Sequence, residues 1–369
     1  MKKLLRRLFY KPVLQLSNRY SSKPEKQRIY TALSDLLSRI LNEEKEKGLI
    51  VPFDVDNSKI IIFSDQHKGA RNGADDFLKA EQNYLAALDF YYAEGYHFIS
   101  LGDSEELWEN TLHQVKKHQK PAFEKEARFI PKNAFIKIFG NHDLFWDNDP
   151  FSFLPLHEIY NADIKVYEGV VLQTSINQSM LNIFCTHGHQ GDKVSDGNWF
   201  SKFFIARIWA PFQSYLDINP NTPAYDAHLK TLHNALMYEW CAEQKNVVLI
   251  TGHTHQPVFE SLTHIERLYK QLLFARMNNH VTEVQKLEEE IKFRKFEYQQ
   301  VSEEYLNAHP GYFNTGCCCF DDGDITGIEI ADSCIRLIEW KTKDEQPYRL
   351  ILEEKKLDDL LAELNECKL

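Results

Sequence analysis

The spacing of hydrophobic residues along the chain changes near Lys59. Before it, residues 25–47 carry Ile and Leu at intervals of three and four, which predicts an amphipathic helix ended by Gly48. After it, short apolar runs alternate with longer polar stretches, as in βαβ units, so we expect an α/β fold. The runs predict strands at Ile60–Phe63, Phe98–Leu101, Phe135–Phe139, Leu181–Cys185 and Val247–Ile250, with shorter ones at Ile164–Tyr167 and Val170–Thr174.

Polar residues directly follow each of the five buried strands. Ligands in open α/β sheets bind beyond the carboxyl ends of the strands, so this pattern delivers Asp, Asn and His to one edge of a sheet. A single histidine there is most often structural, and G-N-H-D alone also fits a capped strand-to-helix turn. Five successive strand ends favour a shared site. The segments are Asp65–Gln66–His67, Gly102–Asp103, Gly140–Asn141–His142–Asp143, His187–Gly188–His189 and Gly252–His253–Thr254–His255.

The residue types in these segments point to metal binding. Asp, Asn and neutral His supply the oxygen and nitrogen ligands that suit Mn²⁺, Zn²⁺ or iron, and the set contains no cysteine for a thiolate zinc site. A glycine precedes Asp103, Asn141 and His253, and we expect it to let the backbone turn sharply into a crowded site. Asn141 is expected to ligate through its amide oxygen, His142 to act as an acid or charge stabiliser, and Asp143 to orient the His142 imidazole.

Charge is distributed unevenly along the chain. The net charge is −11, but residues 1–30 hold nine basic residues and one acidic residue, a net of +8, which leaves −19 on the remainder. The acidic balance disfavours a nucleic-acid partner. Residues 2–10 form a short cationic amphipathic pattern, which suits either peripheral contact with an anionic membrane or docking onto the protein body.

The cysteine pattern bears on the compartment. Three of the seven cysteines are consecutive at Cys317–Cys319, which does not resemble the spacing of a disulfide framework. No secretory signal follows the basic start, and no apolar run approaches the roughly 20 residues of a membrane span. We therefore expect a reducing, cytoplasmic setting, with the consecutive cysteines as small core residues on a strand.

The ordered motifs D-x-H, G-D, G-N-H-D, H and G-H-x-H resemble those of the calcineurin-like metallophosphoesterase superfamily, from Lys59 to about Gln256. The resemblance implies a four-layer α/β/β/α sandwich whose later strands are Phe313–Phe320, Ile325–Ile330 and Cys334–Trp340. It also implies two divalent metal ions, with Mn²⁺ preferred and Zn²⁺ or iron as alternatives. One metal would be held by Asp65, His67 and His255, and the second by Asn141, His187 and His253, with Asp103 bridging both.

The same resemblance implies hydrolysis of phosphate esters or pyrophosphates. A metal-bound hydroxide would attack phosphorus, and His142, with Asp143 behind it, would stabilise or protonate the leaving oxygen. Lys68 and Arg71 are candidates for binding substrate phosphate, with solvated loop charges as the alternative. The segment after Asp103 looks more like UDP-2,3-diacylglucosamine hydrolases than protein Ser/Thr phosphatases. The competing functions are a nuclease or cyclic-nucleotide phosphodiesterase, and a binding scaffold that has lost catalysis.

Helical segments interrupt and flank the predicted core. Trp199 and Phe203, in an aromatic cap, are candidates for contacting the apolar part of a phosphorylated small-molecule or lipid substrate, and simple packing on the sandwich is the alternative. Residues 261–309 are expected to form a helical hairpin that turns near Asn278–Asn279. This hairpin could border the site, or it could be a solvated arm that serves only packing or oligomerisation. The predicted units are an N-terminal helical extension (1–57), the metallophosphoesterase domain (58–260 and 310–345) with the cap (193–245), the hairpin (261–309) and a C-terminal helix (346–369).

Overall fold

The structure is a computed structural model that describes residues 24–73, 75–191, 227–278, 280–294 and 309–366. The cationic segment 2–10 and the aromatic residues Trp199 and Phe203 lie outside these ranges. The described strands are β1 (Gly48–Pro52), β2 (Ile60–Phe63), β3 (His97–Leu101), β4 (Phe135–Ile138), β5 (Val166–Tyr167), β6 (Gly169–Ile176), β7 (Ser179–Thr186), β8 (Val247–Thr251), β9 (Val258–Phe259), β10 (Leu262–Thr263), β11 (Tyr312–Asn314), β12 (Ile325–Ala331), β13 (Cys334–Lys343) and β14 (Gln346–Lys356). The described α-helices are Lys26–Leu41, Glu81–Ala93, Leu112–His118, Lys120–Ala127, Phe145–Asn148, Phe153–Tyr160, Ala227–Glu243, His264–Met277, Val281–Arg294 and Leu357–Glu366.

These strands form two seven-stranded mixed sheets. The first has the order β14-β13-β12-β2-β3-β4-β5, in which β2 to β5 are parallel and β12 to β14 add in antiparallel pairs. The second has the order β1-β6-β7-β8-β11-β9-β10, in which β7, β8 and β11 are parallel. The five strand ends that carry the polar motifs therefore belong to two sheets, three ends from the first and two from the second, and the prediction of a single sheet edge is wrong.

The two sheets pack face to face over an aliphatic core. Ile62, Leu101 and Ile138 of the first sheet belong to the same fully buried cluster as Ile183 and Ile250 of the second. Because the central strands are covered on both faces, their sequences are largely continuous apolar runs. This is why the runs were visible in the sequence.

Helices cover the outer face of each sheet. Helix Glu81–Ala93 places Tyr84 against Phe63 of the first sheet, with ring centroids 5.9 Å apart. Helix Lys26–Leu41 buries Leu33 in a cluster that includes residues of β6, β7 and β8. The layers are helix, sheet, sheet and helix, which confirms the predicted α/β/β/α sandwich.

Two terminal segments differ from the prediction. Helix Lys26–Leu41 stops well before Gly48, which instead begins β1 and pairs with Gly169 of β6. A Cβ at Gly48 would lie 2.4 Å from the Gly169 carbonyl oxygen, so this close pairing requires glycine. Residues 346–369 are not one helix, since Gln346–Lys356 forms the edge strand β14 and only Leu357–Glu366 is helical. The charged end of β14 favours a helix by propensity, but pairing with β13 along the strand overrides it.

The predicted strand Phe313–Phe320 is wrong beyond Asn314. The side-chain oxygen of Asn314 accepts a hydrogen bond from the Gly316 backbone N–H at 2.9 Å, and Gly316 has a φ of 77°. This left-handed conformation turns the chain away from β11. Cys317–Cys319 therefore lie on irregular backbone and not on a strand.

A pair of helices follows β10. Helix His264–Met277 begins at a capping box formed by Thr263 and Glu266, and it packs against helix Val281–Arg294 through a small cluster that includes Leu272 and Leu287. The first helix ends at Met277 and the second begins at Val281, on either side of the expected turn. In the parts of the chain that the structure describes, no helix is both long and apolar enough to cross a membrane.

Candidate metal centre

The polar residues after the five strands meet where the edges of the two sheets adjoin. Each motif residue lies on the loop directly beyond a strand end, so the rigid sheets fix its position. Of the seven predicted metal ligands, His255 is partly exposed and the other six are buried. They are Asp65 and His67 after β2, Asp103 after β3, Asn141 after β4, His187 after β7, and His253 and His255 after β8.

Asp103 lies at the centre of this group. Its Oδ2 is 3.0 Å from His187 Nε2 and 3.8 Å from His67 Nε2. Donor atoms of Asp103, His187 and His253 all lie within 4.8 Å of one another. Asp103 Oδ1 accepts a hydrogen bond from the His142 backbone N–H at 2.7 Å, which ties the loop after β4 to the same carboxylate. This position fits the predicted bridge between two metals.

Hydrogen bonding fixes the proton on His187 and exposes an orphaned lone pair. His187 Nδ1 lies 2.9 Å from the Leu101 carbonyl oxygen, which can only accept, so Nδ1 carries the proton. In the neutral ring, the Nε2 lone pair then faces Asp103 Oδ2 without a hydrogen bond. Asn141 Oδ1 and His253 Nε2 are likewise buried with no hydrogen-bond partner in the described structure. A divalent cation would satisfy these acceptor atoms, so the donor set fits the expected metal.

Acceptor atoms also face one another around His67. Its Nδ1 lies 2.8 Å from Glu106 Oε2, which leaves the lone pair on Nε2. That Nε2 lies 3.2 Å from His255 Nε2, and His255 Nε2 lies 3.2 Å from Asp65 Oδ1. Three potential ligand atoms thus converge on one small volume. They form a second position that suits a cation, next to the first.

The backbone of the ligand loops is strained. Five predicted ligands have positive φ values between 48° and 70°, in the left-handed region that side-chain-bearing residues seldom adopt. Such conformations cost about 1–3 kcal/mol each and persist where the surrounding structure enforces them. Their concentration at this edge indicates that the loops are shaped for a site and not for stability. The five are Asp65, His67, Asp103, His253 and His255.

The glycines of the motifs serve mainly to leave space. A Cβ at Gly140 would lie 2.2 Å from Asp103 Oδ1, and one at Gly252 would lie 2.4 Å from Asp65 Oδ2. Neither Gly140 nor Gly252 has a positive φ, so the expected sharp turn applies only to Gly102, whose φ is 87°. The close approach of backbone to carboxylate explains the other two.

Glu106, not Asp143, holds the imidazole of His142. His142 Nδ1 lies 2.7 Å from Glu106 Oε2, and the Trp108 ring stacks on the imidazole with centroids 4.0 Å apart. Burial alone would raise the pKa of Glu106, but His142 and His67 lower it to about 2. One ionised carboxylate therefore orients two imidazoles. The prediction that Asp143 orients His142 is wrong, because Asp143 is occupied elsewhere.

Asp143 ties two ligand loops together. Its Oδ1 accepts a hydrogen bond from the Gly140 backbone N–H at 2.6 Å, and its Oδ2 accepts one from the Ser104 backbone N–H at 2.9 Å. Burial and the nearby Glu105 carboxylate raise the pKa of Asp143 to about 6. The residue thus acts on the backbone that presents Asp103 and Asn141.

Both predicted phosphate-binding cations are engaged in ion pairs with carboxylates. Lys68 is fully buried, and its ammonium lies 2.5 Å from Glu126 and 3.3 Å from Glu105. A buried charge paired in this way cannot reach a substrate, so the prediction for Lys68 is corrected. Arg71 is exposed, and one nitrogen of its guanidinium, Nη2, lies 2.6 and 2.9 Å from the two carboxylate oxygens of Glu81.

Sequence reasoning overlooked three residues that border the centre: Glu106, Trp108 and Cys319. Glu106 and its neighbour Glu105 both follow Asp103 closely, and only the loop conformation shows which of the two faces the centre. Glu105 instead points into a buried cluster, 3.0 Å from Lys137 on β4. Cys319 Sγ lies 3.8 Å from His255 Nδ1, although the sequence predicts a core residue there.

One family model and two solved structures match this chain. The family model for calcineurin-like phosphoesterases matches residues 58–257. Vacuolar Protein Sorting 29 from Cryptosporidium parvum is 10% identical with a TM-score of 0.32, covering 81% of this chain and 98% of that one. A Vps29 single mutant from Entamoeba histolytica is 12% identical with a TM-score of 0.28, covering 80% and 99%. No curated protein matches the chain.

Gly140→Ala should displace Asp103 and reduce metal content below two ions per chain. The new methyl group would overlap both the carboxylate and the backbone nitrogen of Asp103, and overpacking of this kind costs about 1–3 kcal/mol. Metal analysis and thermal melting of the purified protein measure both effects. Gly73→Ala is the matched control, because a Cβ there meets nothing within 4 Å. Unchanged metal content in Gly140→Ala would contradict the central position of Asp103.

Proposed function

The chain belongs to the calcineurin-like phosphoesterase family, and we propose that it is a dinuclear metal-dependent hydrolase of phosphate esters or pyrophosphates. The observation that carries the proposal is that potential ligand atoms face one another at two positions near Asp103. His187 Nε2 faces the Asp103 carboxylate at one, and Nε2 of His67 faces Nε2 of His255 at the other. A structural role would not need buried acceptors directed at one another. A site for two cations does.

Each set would hold one metal. Asp65, His67 and His255 surround one position, and the second is proposed for the donor atoms of Asn141, His187 and His253, with Asp103 shared. When bound, two such cations act as Lewis acids that polarise phosphoryl oxygens and lower the pKa of an attacking water. The oxygen and nitrogen donors suit Mn²⁺, our first expectation, and also Zn²⁺ or iron.

His142 is the residue that we propose handles the proton of the leaving group. Glu106 accepts the hydrogen bond from Nδ1–H, so a doubly protonated His142 ring holds its other proton on Nε2, where a departing oxygen can take it. The His142 side chain retains 17% of its exposure, whereas Asp103 and His187 retain 2% and none. A substrate can therefore reach His142 while the ligands stay covered. Trp108 stacks on one face of the ring and limits its rotation.

The proposed substrates are phosphorylated small molecules or lipids. The acidic balance of the chain outside residues 1–30 disfavours a long polyphosphate backbone such as nucleic acid. Since Lys68 and Arg71 are engaged in ion pairs with carboxylates, the proposal assigns phosphate binding to the metals and His142, and not to those two cations.

The function is tested by stripping the protein with a chelator, reloading it with Mn²⁺ or Zn²⁺, and assaying a panel of phosphate esters. The panel comprises p-nitrophenyl phosphate, bis-p-nitrophenyl phosphate, nucleotides and a UDP-sugar lipid. We expect hydrolysis of at least one class only after reloading, and none by Asp103→Asn. Two bound metals per chain with no hydrolysis of any substrate would contradict the proposal and favour a binding scaffold.

His142→Ala should retain both metals and lose turnover by roughly 10²–10⁴-fold, the usual contribution of a positioned acid or base. The loss should be smaller for nitrophenyl esters than for alkyl esters, because a good leaving group needs little protonation. His157→Ala is the control, since His157 is an exposed histidine paired with Asp163. If nitrophenyl and alkyl esters suffered equally, His142 would not be the acid.

A further inference from the structure

A sulfur atom lies within the reach of one of the two proposed metal positions. Ligand atoms of His67, His255 and Cys319 all lie within 4.8 Å of one another, by the same measure that groups Asp103, His187 and His253. Among the predicted ligands there is no cysteine. Cys319 is therefore an additional donor that the motif pattern does not contain.

Backbone hydrogen bonds fix the chain around Cys319 to the loop that carries Asp65. The Cys318 N–H donates to the Asp65 carbonyl oxygen at 3.1 Å. A side-chain contact joins the same two segments, since the Thr315 hydroxyl lies 2.6 Å from the Ser64 hydroxyl. The segment after β11 thus runs beside the end of β2, and the position of Cys319 is set by the same contacts that hold a metal ligand.

Cys319 differs from its neighbours in access. Cys317 and Cys318 are buried at 1% and 0% exposure, whereas Cys319 is partly exposed. Its sulfur lies 3.8 Å from Nδ1 of His255, beside the ring whose Nε2 meets His67. Cys319 Sγ therefore adds a fourth potential ligand atom to those of Asp65, His67 and His255.

We propose that Cys319 supplies a thiolate ligand to the metal held by Asp65, His67 and His255. Zinc sites have Zn–S bonds of about 2.3 Å and Zn–N bonds of about 2.0–2.1 Å, so ligand atoms lie roughly 3.5 Å apart. The ligand atoms of His67, His255 and Cys319, which lie within 4.8 Å of one another, would draw closer around the metal. On binding, the thiol gives its proton to solvent and the sulfur bonds to the metal.

A thiolate changes which metal the site prefers. Soft sulfur ligands favour Zn²⁺ and iron, whereas carboxylate and water ligands suit Mn²⁺. The position with Cys319 therefore selects zinc or iron, and the position of Asn141, His187 and His253 keeps only oxygen and nitrogen donors. This inference rests on the proposed dinuclear centre and identifies the metal class of one of its halves.

The test is cobalt substitution of the full chain, read by absorption spectroscopy and by metal analysis. Wild-type protein is stripped, reloaded with Co²⁺, and examined for a near-ultraviolet thiolate-to-cobalt charge-transfer band. We expect the band in wild type and in Cys334→Ser, whose cysteine lies on β13, and its absence in Cys319→Ser. We also expect the Zn²⁺-over-Mn²⁺ affinity ratio of Cys319→Ser to fall by at least about tenfold, the lower end of effects at metal-site residues.

The two measurements separate this inference from the proposed function. Two cobalt ions per chain with no charge-transfer band in wild type would overturn the role of Cys319 and leave the dinuclear centre intact. A band that survives in Cys319→Ser would overturn it as well. Failure to bind two metals at all would count against the proposed function itself. Because the wild-type spectrum decides the main point, the inference stays testable even if the serine variant folds poorly.

Discussion

Repulsion among buried acceptors is the constraint on which this site depends. Asp65 and Asp103 are buried carboxylates, and His187 directs a lone pair at Asp103. Buried charge of one sign must be compensated. A proton on His187 Nε2 would also compensate this charge: burial lowers the pKa of His187, but Asp103 and Asp65 raise it to about 9. The field that holds this proton would hold a divalent cation, so metal binding and proton release are linked.

The fold supplies the rigidity that keeps such groups together. The strand ends of two packed sheets set the loops, and Asp143 joins the loop after β3 to the loop after β4. Beneath them, Glu105 receives the buried ammonium groups of Lys68 and Lys137. Burial raises the pKa of Glu105 but the two lysines lower it to about 2, so the carboxylate stays ionised. Removing one partner of a buried ion pair of this kind costs about 3–5 kcal/mol.

The sequence predicted what depends on local pattern. Continuous apolar runs identified the central strands because both faces of each sheet are covered, and the residues after them identified the ligand loops. It did not predict contacts between distant segments. Adjacent acids Glu105 and Glu106 look alike in sequence, yet one enters a buried ion cluster and the other binds His142. Lys68 is a candidate for phosphate binding by sequence because it follows the first ligands, and its buried partner Glu126 lies too far along the chain for the sequence to reveal the pair.

The most direct test of the account is anomalous X-ray diffraction from crystals grown with Mn²⁺ or Zn²⁺. We predict two anomalous peaks about 3.5–4 Å apart, the spacing of two-metal hydrolytic centres, each within bonding distance of the Asp103 carboxylate. The first peak should also contact His67 and His255, and the second His187. A single peak, or peaks away from Asp103, would contradict the dinuclear centre.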